Sequence, residues 1–440
     1  SPDLTRAETS KMMRITGGPI TTGGLSSQYS SLIFAFVESP HEAGVFWAGT
    51  DDSQIHLSRD HGKTWDDVSP PGLPRWTCIS IIEPSPHDPA TVYVAAHRYK
   101  MDDHRPFLFK TTDYGGTWKE ITEGIPGDDF VRVIRSDQVR PGLLYAGSEK
   151  TVYVSFDDGS FWQSLQRNLP AVAVHDLVVK DNDLVAGTHG RAFWILDDLT
   201  PLHQITEQVA QASSYLFKPG PTYRLLRPRR PSRARPGKNY ERASGDVVTF
   251  YETRTADGEV RRTYLNAGTN PPDGVVVTYY LANEPDGEVS LTFLDPRGEM
   301  IKTFSSNAPT ATGSRITAKI GTNRFVWDMR YPGARAIQQA AGLTELESPS
   351  PIAPVAPPGT YQVRLSVAGQ VQTQTFEIVK DPRLSATQED LDEQFALHIK
   401  IRDKFSETND FISRIGRLRA QAKDWQNRVH GIPGASDVTE

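Results

Sequence analysis

The sequence predicts a mainly β protein in which β-propeller blades are followed by a β-sandwich and a long C-terminal α-helix. Three observations support this fold class. The 440 residues include 34 glycines and 32 prolines, and only 37% are apolar, which favours loop-rich β structure over a helical bundle. A short motif recurs at the spacing of propeller blades, and short alternating apolar runs typical of strands surround each copy.

The repeated motif is Ser/Thr-x-Asp-x-Gly-x-x-Trp, which occurs three times within the first 200 residues. Its aspartates are 53 and 44 residues apart, which suits a four-stranded blade of about 40–50 residues. We expect a structural role, because Asp and Ser/Thr bond turn N–H groups, Gly permits positive φ, and Trp packs between blades. The box residues are Asp60, Gly62 and Trp65; Asp113, Gly115 and Trp118; and Asp157, Gly159 and Trp162.

These motifs resemble the Asp-box (BNR) repeats of sialidase-like and sortilin/VPS10-like β-propellers. Residues 76–89, 111–118, 153–158 and 187–202 also resemble bacterial proteins named as BNR-repeat glycosyl hydrolases or sortilin-N-terminal-domain proteins. The resemblance covers nearly the whole chain and implies a propeller, a β-sandwich and a helical tail. It also implies that the chain is the C-terminal portion of a longer secreted or periplasmic protein, with a partial ring whose N-terminal remainder is a partner.

Four segments are predicted. Blades occupy residues 1–205, and a Pro/Arg-rich linker occupies 206–245, where we favour an interdomain arm over a polyanion tether. Short strands separated by turn residues predict an immunoglobulin- or fibronectin-III-like sandwich over 246–380. Apolar residues at three-or-four spacing predict an amphipathic helix within 381–440, with a capping box at Ser385 and an apolar stripe available for oligomer formation.

The loops on the propeller face opposite the Asp boxes are the predicted ligand site. They mix carboxylates, cations and aromatic side chains, as sugar sites do. Candidate acids and bases for glycoside hydrolysis are Asp51, Asp52, Asp103 and Glu149. Candidate ligand-binding residues are Trp76, Arg98, Tyr99, Arg105, Lys150, His189 and Arg191. The alternative is that these charges pair with one another at solvated loop tips.

Three functions follow from these patterns. The first is a recognition or scaffold protein that binds a glycan or peptide, or assembles with other chains. The second is a glycoside hydrolase acting on an extracellular polysaccharide through paired loop carboxylates. The third is a structural subunit of a larger complex. The resemblance to sialidases does not include their catalytic residues, since no arginine triad or Tyr–Glu pair can be assigned. The sequence therefore does not decide whether the protein is an enzyme.

The composition argues against several classes of partner and cofactor. A net charge of −6 argues against nucleic-acid binding, and no apolar stretch is long enough to span a membrane. Cys78 is the only cysteine, which excludes an internal disulfide and a cysteine-based zinc site. The histidines lack ligand spacing, so no metal is expected, although the pairs Asp102–Asp103 and Asp128–Asp129 offer oxygen ligands for calcium.

Overall fold

The computed structural model describes residues 2–6, 32–225, 235–243, 246–254, 260–309, 315–337 and 353–429. The protein is mainly β, built from antiparallel sheets, with one long helix near its C-terminus. The chain divides into two compact units, Ser1–His203 and Gln204–Glu440.

Within its described residues the first unit forms four antiparallel meanders, in which strands lie side by side in chain order. Sheet A holds β1 (Ile33–Glu38), β2 (Phe46–Thr50), β3 (Ile55–Ser58) and β4 (Asp66–Asp67). Sheet B holds β5 (Cys78–Pro84), β6 (Val92–Arg98), β7 (Asp103–Thr111) and β8 (Lys119–Glu120), with a 3-10 helix at Tyr99–Met101. Sheet C holds β9 (Val131–Ser136), β10 (Leu144–Ser148), β11 (Val152–Ser155) and β12 (Gln163–Ser164). Sheet D holds β13 (Val174–Lys180), β14 (Asp183–Thr188) and β15 (Phe193–Leu196).

Successive sheets pack face to face because their strands carry apolar side chains on both faces. On β6, Val92 and Val94 face sheet A, whereas the intervening Tyr93 and Ala95 face sheet C. A third core fills the space between sheets C and D, where Tyr145 contacts Leu177 and its neighbours. The first strand of each sheet contacts the first strand of the next, so β1, β5, β9 and β13 follow one another through the unit.

Each copy of the Ser/Thr-x-Asp-x-Gly-x-x-Trp motif, called an Asp box here after its central aspartate, forms a tight turn between the third and fourth strands. In the second box, Gly115 N–H donates to Thr111 Oγ1 at 2.9 Å, and Thr117 N–H donates to Asp113 Oδ1 at 2.8 Å. The same bonds recur in the first box, where the Thr64 backbone N–H lowers the pKa of Asp60 to about 2. These carboxylates therefore hold turns.

The tryptophans of the second and third boxes pack backward onto the preceding sheet. Trp118 Nε1 donates to the Val68 carbonyl and Trp162 Nε1 to the Ile121 carbonyl, each at 2.7 Å. Trp162 is only 1% exposed. These bonds fix the spacing of successive sheets while the indole rings fill the gap between them.

The second unit contains three sheets among its described residues. Sheet E holds β16 (Ser214–Leu216), β21 (Val275–Leu281) and β24 (Gly321–Trp327). Sheet F holds β17 (Thr222–Arg224), β22 (Val289–Leu294), β23 (Met300–Ser305), β25 (Gly359–Val367) and β26 (Gln370–Lys380). Sheet G holds β18 (Gly237–Ala243), β19 (Asp246–Arg254) and β20 (Val260–Tyr264). Sheets E and F enclose one core around Phe293 and Trp327, whose rings stack at 4.6 Å.

The segment predicted as a linker contributes to these elements. Helix α1 (Thr200–Gln204) lies just before it, in the segment predicted as blades. Helix α2 (Glu207–Gln211) and β16 lie in it, and β16 pairs antiparallel with β21. Strand β17 pairs parallel with β26, the one parallel strand pair among the described residues. Residues 226–234 of this segment lie outside the described residues. The immunoglobulin-like topology stays a prediction.

The C-terminal helix α3 spans Gln388–Val429. The residue that caps its N-terminus is Thr387, whose Oγ1 accepts the Asp390 N–H at 3.1 Å, rather than the expected Ser385. Tyr331 packs on Phe395 at 4.8 Å, and Arg335 pairs with Asp410. Apolar side chains farther along the helix are exposed, namely Ile412, Ile415, Leu418 and Trp425. Oligomer formation through this helix stays a prediction.

The box glycines provide a test of sheet stacking. Gly159 has φ +83°, and a Cβ there would lie 2.7 Å from Ile121 of the preceding sheet. Gly190 has φ +93° with open space around it, so it is the matched control. We expect Gly159→Ala to lower the free energy of unfolding by about 1–3 kcal/mol more than Gly190→Ala, because only the first adds a clash to backbone strain. Urea denaturation of both variants measures this, and equal losses would contradict tight stacking.

Candidate functional site

The predicted loops lie at the end of the first unit opposite the Asp-box turns. There, in sheets A, C and D, the residue after the second strand bonds to the residue before the first strand of the same sheet. Asp51 N–H donates to the Leu32 carbonyl at 3.0 Å, Glu149 N–H to the Phe130 carbonyl at 3.1 Å, and His189 N–H to the Ala173 carbonyl at 2.9 Å. This repeated bond places the loops after β2, β10 and β14 beside the first strands of their sheets.

Asp51 and Asp52 organise backbone in the first of these loops. Asp51 Oδ1 accepts the Leu32 N–H at 2.8 Å. Asp52 is 2% exposed, and its two oxygens accept from the Arg6 N–H at 2.8 Å and the Thr50 hydroxyl at 2.6 Å. Both carboxylates therefore have intramolecular donors, and Asp52 is buried.

Asp103 lies between two arginines. Arg105 Nε donates to its Oδ1 at 2.9 Å, and Arg98 Nη1 donates to its Oδ2 at 2.8 Å. The Arg105 and Arg98 guanidinium groups hold the pKa of the Asp103 carboxyl well below its usual range, against the opposing effect of burial. A carboxyl held ionised in this way is a poor general acid, since it carries no proton near neutral pH.

Glu149 and Lys150 each form an ion pair with another residue. Arg132 donates to Glu149 Oε2 from Nε at 2.9 Å and from Nη2 at 2.7 Å. Lys150 pairs with Asp128 at 2.8 Å, and hydrogen bonding from Lys150 lowers the pKa of Asp128. All four candidate acids thus contact donors within the protein.

Trp76 and the Asp52 loop form a shallow cleft. Arg6, Asp52, Arg75 and Trp76 line it. Trp76 has φ +64°, an unusual conformation for a bulky residue, just before β5. Arg98 Nε donates to the Arg75 carbonyl at 3.2 Å, which joins this cleft to the Asp103 ion pairs.

A denser group surrounds Arg132 on β9, and we call it the Arg132 cluster: His97, Tyr99, Phe130, Arg132 and Glu149. Tyr99 and Phe130 stack with ring centroids 5.0 Å apart and 16° between their planes. The Arg132 guanidinium carbon lies 5.0 Å from the Tyr99 centroid and 4.8 Å from that of Phe130. Cation–π contact and the Glu149 bonds together orient the guanidinium group.

His97 forms the buried side of this cluster. Its ring lies 5.0 Å from Tyr99 and 5.9 Å from Phe130, and the residue is 6% exposed. Burial, followed by the charges of Arg132 and Lys100, lowers the pKa of His97 to about 4. The imidazole is therefore neutral at pH 7, and the positive charge of the cluster resides on Arg132.

Two exposed histidines lie on the neighbouring sheet D. His175 and His189 stack at 4.8 Å, with 20° between their rings. Desolvation, with the Arg132 charge as the next cause, lowers the pKa of His175. Arg191 follows in the same loop and donates no side-chain bond that the structure defines, while its carbonyl accepts from Trp194 Nε1 at 3.0 Å. The aromatic and cationic surface thus extends from sheet B across β9 to sheet D.

The sequence patterns missed Phe130, Arg132 and His175 as site residues because these lie on or beside first strands rather than in loops. One signal was present. The run Phe130-Val131-Arg132-Val133-Ile134-Arg135 places two arginines in a strand whose apolar residues are buried. Arg135 is structural, since it pairs with Glu83 at 2.9 Å and Asp176 at 2.7 Å. A cation in a largely buried strand therefore needed a partner or a ligand.

Two negative findings concern the described residues alone. No group of three or more His, Cys, Asp or Glu side chains among them is arranged to hold a metal ion. Of the helices there, none is both long and apolar enough to cross a bilayer. Calcium binding at Asp102–Asp103 or Asp128–Asp129 stays a prediction, with Asp103 and Asp128 already in ion pairs.

Comparisons with known proteins found neither a matching family model nor a matching curated protein. Among solved structures, YCF48 from Cyanidioschyzon merolae is 13% identical over 38% of this chain and 53% of its own, with a TM-score of 0.29. The chain thus spans about half the length of that structure. A structure described as YCF48 bound to D1 peptide is 16% identical over 56% and 76%, with a TM-score of 0.30. The GH74 xyloglucanase from Xanthomonas campestris is 14% identical over 80% and 71%, with a TM-score of 0.31. Likenesses of this size carry no argument here.

The titration of His97 tests the buried side of the cluster. A folded-state pKa of about 4, below the ordinary value of about 6.5, means that the unfolded chain binds more protons between these pH values. Acidification from pH 6.5 toward 4 therefore destabilises the fold, by about 2–3 kcal/mol from this group. Histidine NMR, with His97→Phe to assign the resonance, measures the pKa. A value of about 6.5 or higher would contradict the burial of a neutral imidazole.

Proposed function

We propose that this protein is a non-catalytic recognition module that binds a peptide or glycan at the Arg132 cluster. In this proposal the first unit is part of an Asp-box β-propeller, and the cluster lies where ligands enter such folds. One observation carries the proposal. The loop carboxylates needed for hydrolysis are occupied by donors of the protein itself, whereas the partly exposed Tyr99 ring lies beside the Arg132 guanidinium group, whose side chain is 15% exposed.

The chemistry of the cluster suits a ligand with both a flat apolar face and an acceptor group. Tyr99 is partly exposed and offers a ring for stacking against a sugar or a peptide side chain. Arg132 is oriented by Glu149 and by two ring faces, so little side-chain entropy is lost when it meets an acceptor. Exposed His175 and His189 add a second flat surface beside it.

A glycoside hydrolase needs one protonated and one ionised carboxyl at the reacting bond. Asp103 is held ionised by Arg98 and Arg105, and Asp52 is buried with both oxygens bonded. Glu149 is more accessible than Asp52 and Asp103, with a side chain 41% exposed, but it is bonded twice to Arg132. These contacts support recognition over hydrolysis.

Two further parts of the proposal rest on the sequence resemblance. We place the protein outside the cytoplasm, secreted or periplasmic, as Asp-box proteins of this kind are. Assembly with other chains through the exposed stripe of α3 is the scaffold side of the same role.

Binding and hydrolysis screens test the proposal together. We expect the purified 440-residue chain to bind a defined subset of glycan or peptide arrays without turnover. Arg132→Ala should weaken that binding at least about tenfold, because the oriented donor and its stacking are lost. Arg132→Lys should recover little, since a lysine can reproduce neither the two-donor contact to Glu149 nor the stacking.

Lys180→Ala is the matched control, because this exposed cation lies at the far end of β13 and pairs only with its neighbour Asp181 among the described contacts. Its binding should be unchanged. Two results would contradict the proposal: turnover of a polysaccharide that Glu149→Gln abolishes, or binding that is insensitive to Arg132→Ala in a variant with an unchanged melting temperature.

A further inference from the structure

We propose that His175 and His189 together bind one divalent transition-metal ion of the Cu²⁺ or Zn²⁺ class, each ring supplying one imidazole nitrogen. His175 lies on β13 and His189 directly follows β14, so both belong to sheet D. Metal binding here is a separate function from the recognition of a peptide or glycan, and it does not depend on that recognition. Two features of sheet D carry it: the strands bring the rings together, and the rings contact each other rather than oxygens of the protein.

A β-bulge sets the position of His175. Val174 pairs with Thr188, and Asp176 pairs with Gly187. Because Thr188 and Gly187 are consecutive in β14, His175 is one extra residue that β13 inserts at this point. The extra residue of a bulge has no cross-strand partner, and the bulge re-aims its side chain, often beside a functional site.

The same irregularity recurs in the first strands of sheets A, B and C. The extra residues there are Phe34, Ser80 and Arg132. Arg132 and His175 thus occupy equivalent positions on neighbouring sheets, and Arg132 already belongs to the ligand end of the unit. His175 is therefore presented at that end by a feature that the fold repeats.

His189 is held beside the bulge by its backbone. Its N–H donates to the Ala173 carbonyl at 2.9 Å. The rings of His175 and His189 stack with their centroids 4.8 Å apart and 20° between their planes, and both residues are exposed. The two residues lie on different strands, so the spacing of histidines along the chain did not indicate this site.

The separation of the rings suits an ion held between two nitrogens. Zn–N bonds are about 2.0–2.1 Å long, so an ion between two nitrogens keeps them at most about 4.2 Å apart. The centroids of His175 and His189 are already at 4.8 Å, and the broad χ2 torsion of histidine lets each ring tilt toward a shared ion at little cost. Imidazole is a good ligand for both zinc and copper. Two protein ligands leave the remaining coordination positions to water.

The charges around the rings allow a dication to bind. Arg132 acts on the His175 ring from sheet C, and its charge is balanced by two bonds to Glu149. Asp176, next to His175, pairs with Arg135. An ion held by the two imidazoles therefore breaks no ion pair of the protein.

Other histidines of the first unit use a ring nitrogen for structure. In four of them Nε2 lies within hydrogen-bond distance of a protein oxygen, at 2.8–3.0 Å: His41, His56, His87 and His203. The ring contact that the structure describes for His175 and His189 is the one with each other. Their nitrogens are therefore accessible to an ion from solvent.

Pulsed electron paramagnetic resonance with Cu²⁺ counts the imidazoles on the ion. An equimolar amount of Cu²⁺ is added to the untagged 440-residue chain, whose one cysteine, Cys78, is buried. We expect two imidazoles on the ion in the unchanged chain and one in His175→Ala or His189→Ala. His398→Ala is the matched control, because it removes an exposed histidine that has no second histidine on α3, and it should leave two.

Isothermal titration calorimetry with Zn²⁺ measures the affinity of the same variants. His175→Ala and His189→Ala should each weaken binding at least about tenfold, since even residues one step removed from a metal are worth that much. The double variant should lose little more than either single one, because the first replacement already breaks the shared site.

One imidazole per copper ion in the unchanged chain would overturn the proposal, and so would two ions bound separately on the two rings. Zinc affinity that is unchanged in both single variants would do the same. The melting temperature gives an independent readout, because a metal that binds the folded state stabilises it. Zn²⁺ should raise it in the unchanged chain and in His398→Ala but not in the double variant, and an equal rise in all three would place the ion elsewhere.

Discussion

The stacking of one sheet on the next through the box tryptophan is the contact on which the first unit depends. A meander of four short strands has two apolar faces. The sheet is stable only when other layers cover those faces and exclude water from them. The bonds from Trp118 to Val68 and from Trp162 to Ile121 fix the spacing between layers, and the glycines beside them allow close approach. Because the boxes occupy one end of the sheets, the loops after the second strands gather at the other.

That second end has a different physical character. Its charges are mutually compensated: Asp103 with two arginines, Glu149 with Arg132, and Asp128 with Lys150. Compensation of this kind stiffens loops, and it gives Asp103, Glu149 and Asp128 each a cationic partner. The rings that stay accessible at this end are the partly exposed Tyr99 and the exposed His175 and His189, beside an Arg132 side chain that is 15% exposed. Ring faces next to a cation suit recognition.

Local rules were enough to predict the Asp-box turns, because the bonds from turn N–H groups to the Ser/Thr and Asp side chains of each box join residues within four positions along the chain. They also predicted that Asp51, Tyr99 and Glu149 lie at the end opposite the boxes, since strand alternation and meander order decide that. They could not predict which charges pair. Arg132 meets Glu149 through the pairing of β9 with β10, and a cation on a strand gives no local sign of its partner. Phe130 and His175 were missed for the same reason.

The second unit shows the same limit. Alternation and turn residues predicted β19, β21, β22, β24, β25 and β26 but not the other strands of this unit. Strand β17 pairs parallel with β26 from within a proline- and arginine-rich stretch, and no periodicity signals such a long-range pairing. The helix α3 was predicted from its apolar spacing. Its capping residue is Thr387 rather than Ser385, because the Thr387 hydroxyl bonds Asp390.

Asp103 and Glu149 are structural partners of arginines rather than proton donors, and the ionisation of Asp103 is the most direct test. Carbon-13 NMR of labelled aspartate carboxyls during acid titration, with Asp103→Asn to assign the resonance, measures its pKa. We expect Asp103 to stay ionised well below the ordinary aspartate pKa of about 3.9, because Arg105 and Arg98 bond its charged form. A pKa at or above that ordinary value would mean that the ion pairs do not form in solution. Asp103 would then again be a candidate proton donor for hydrolysis.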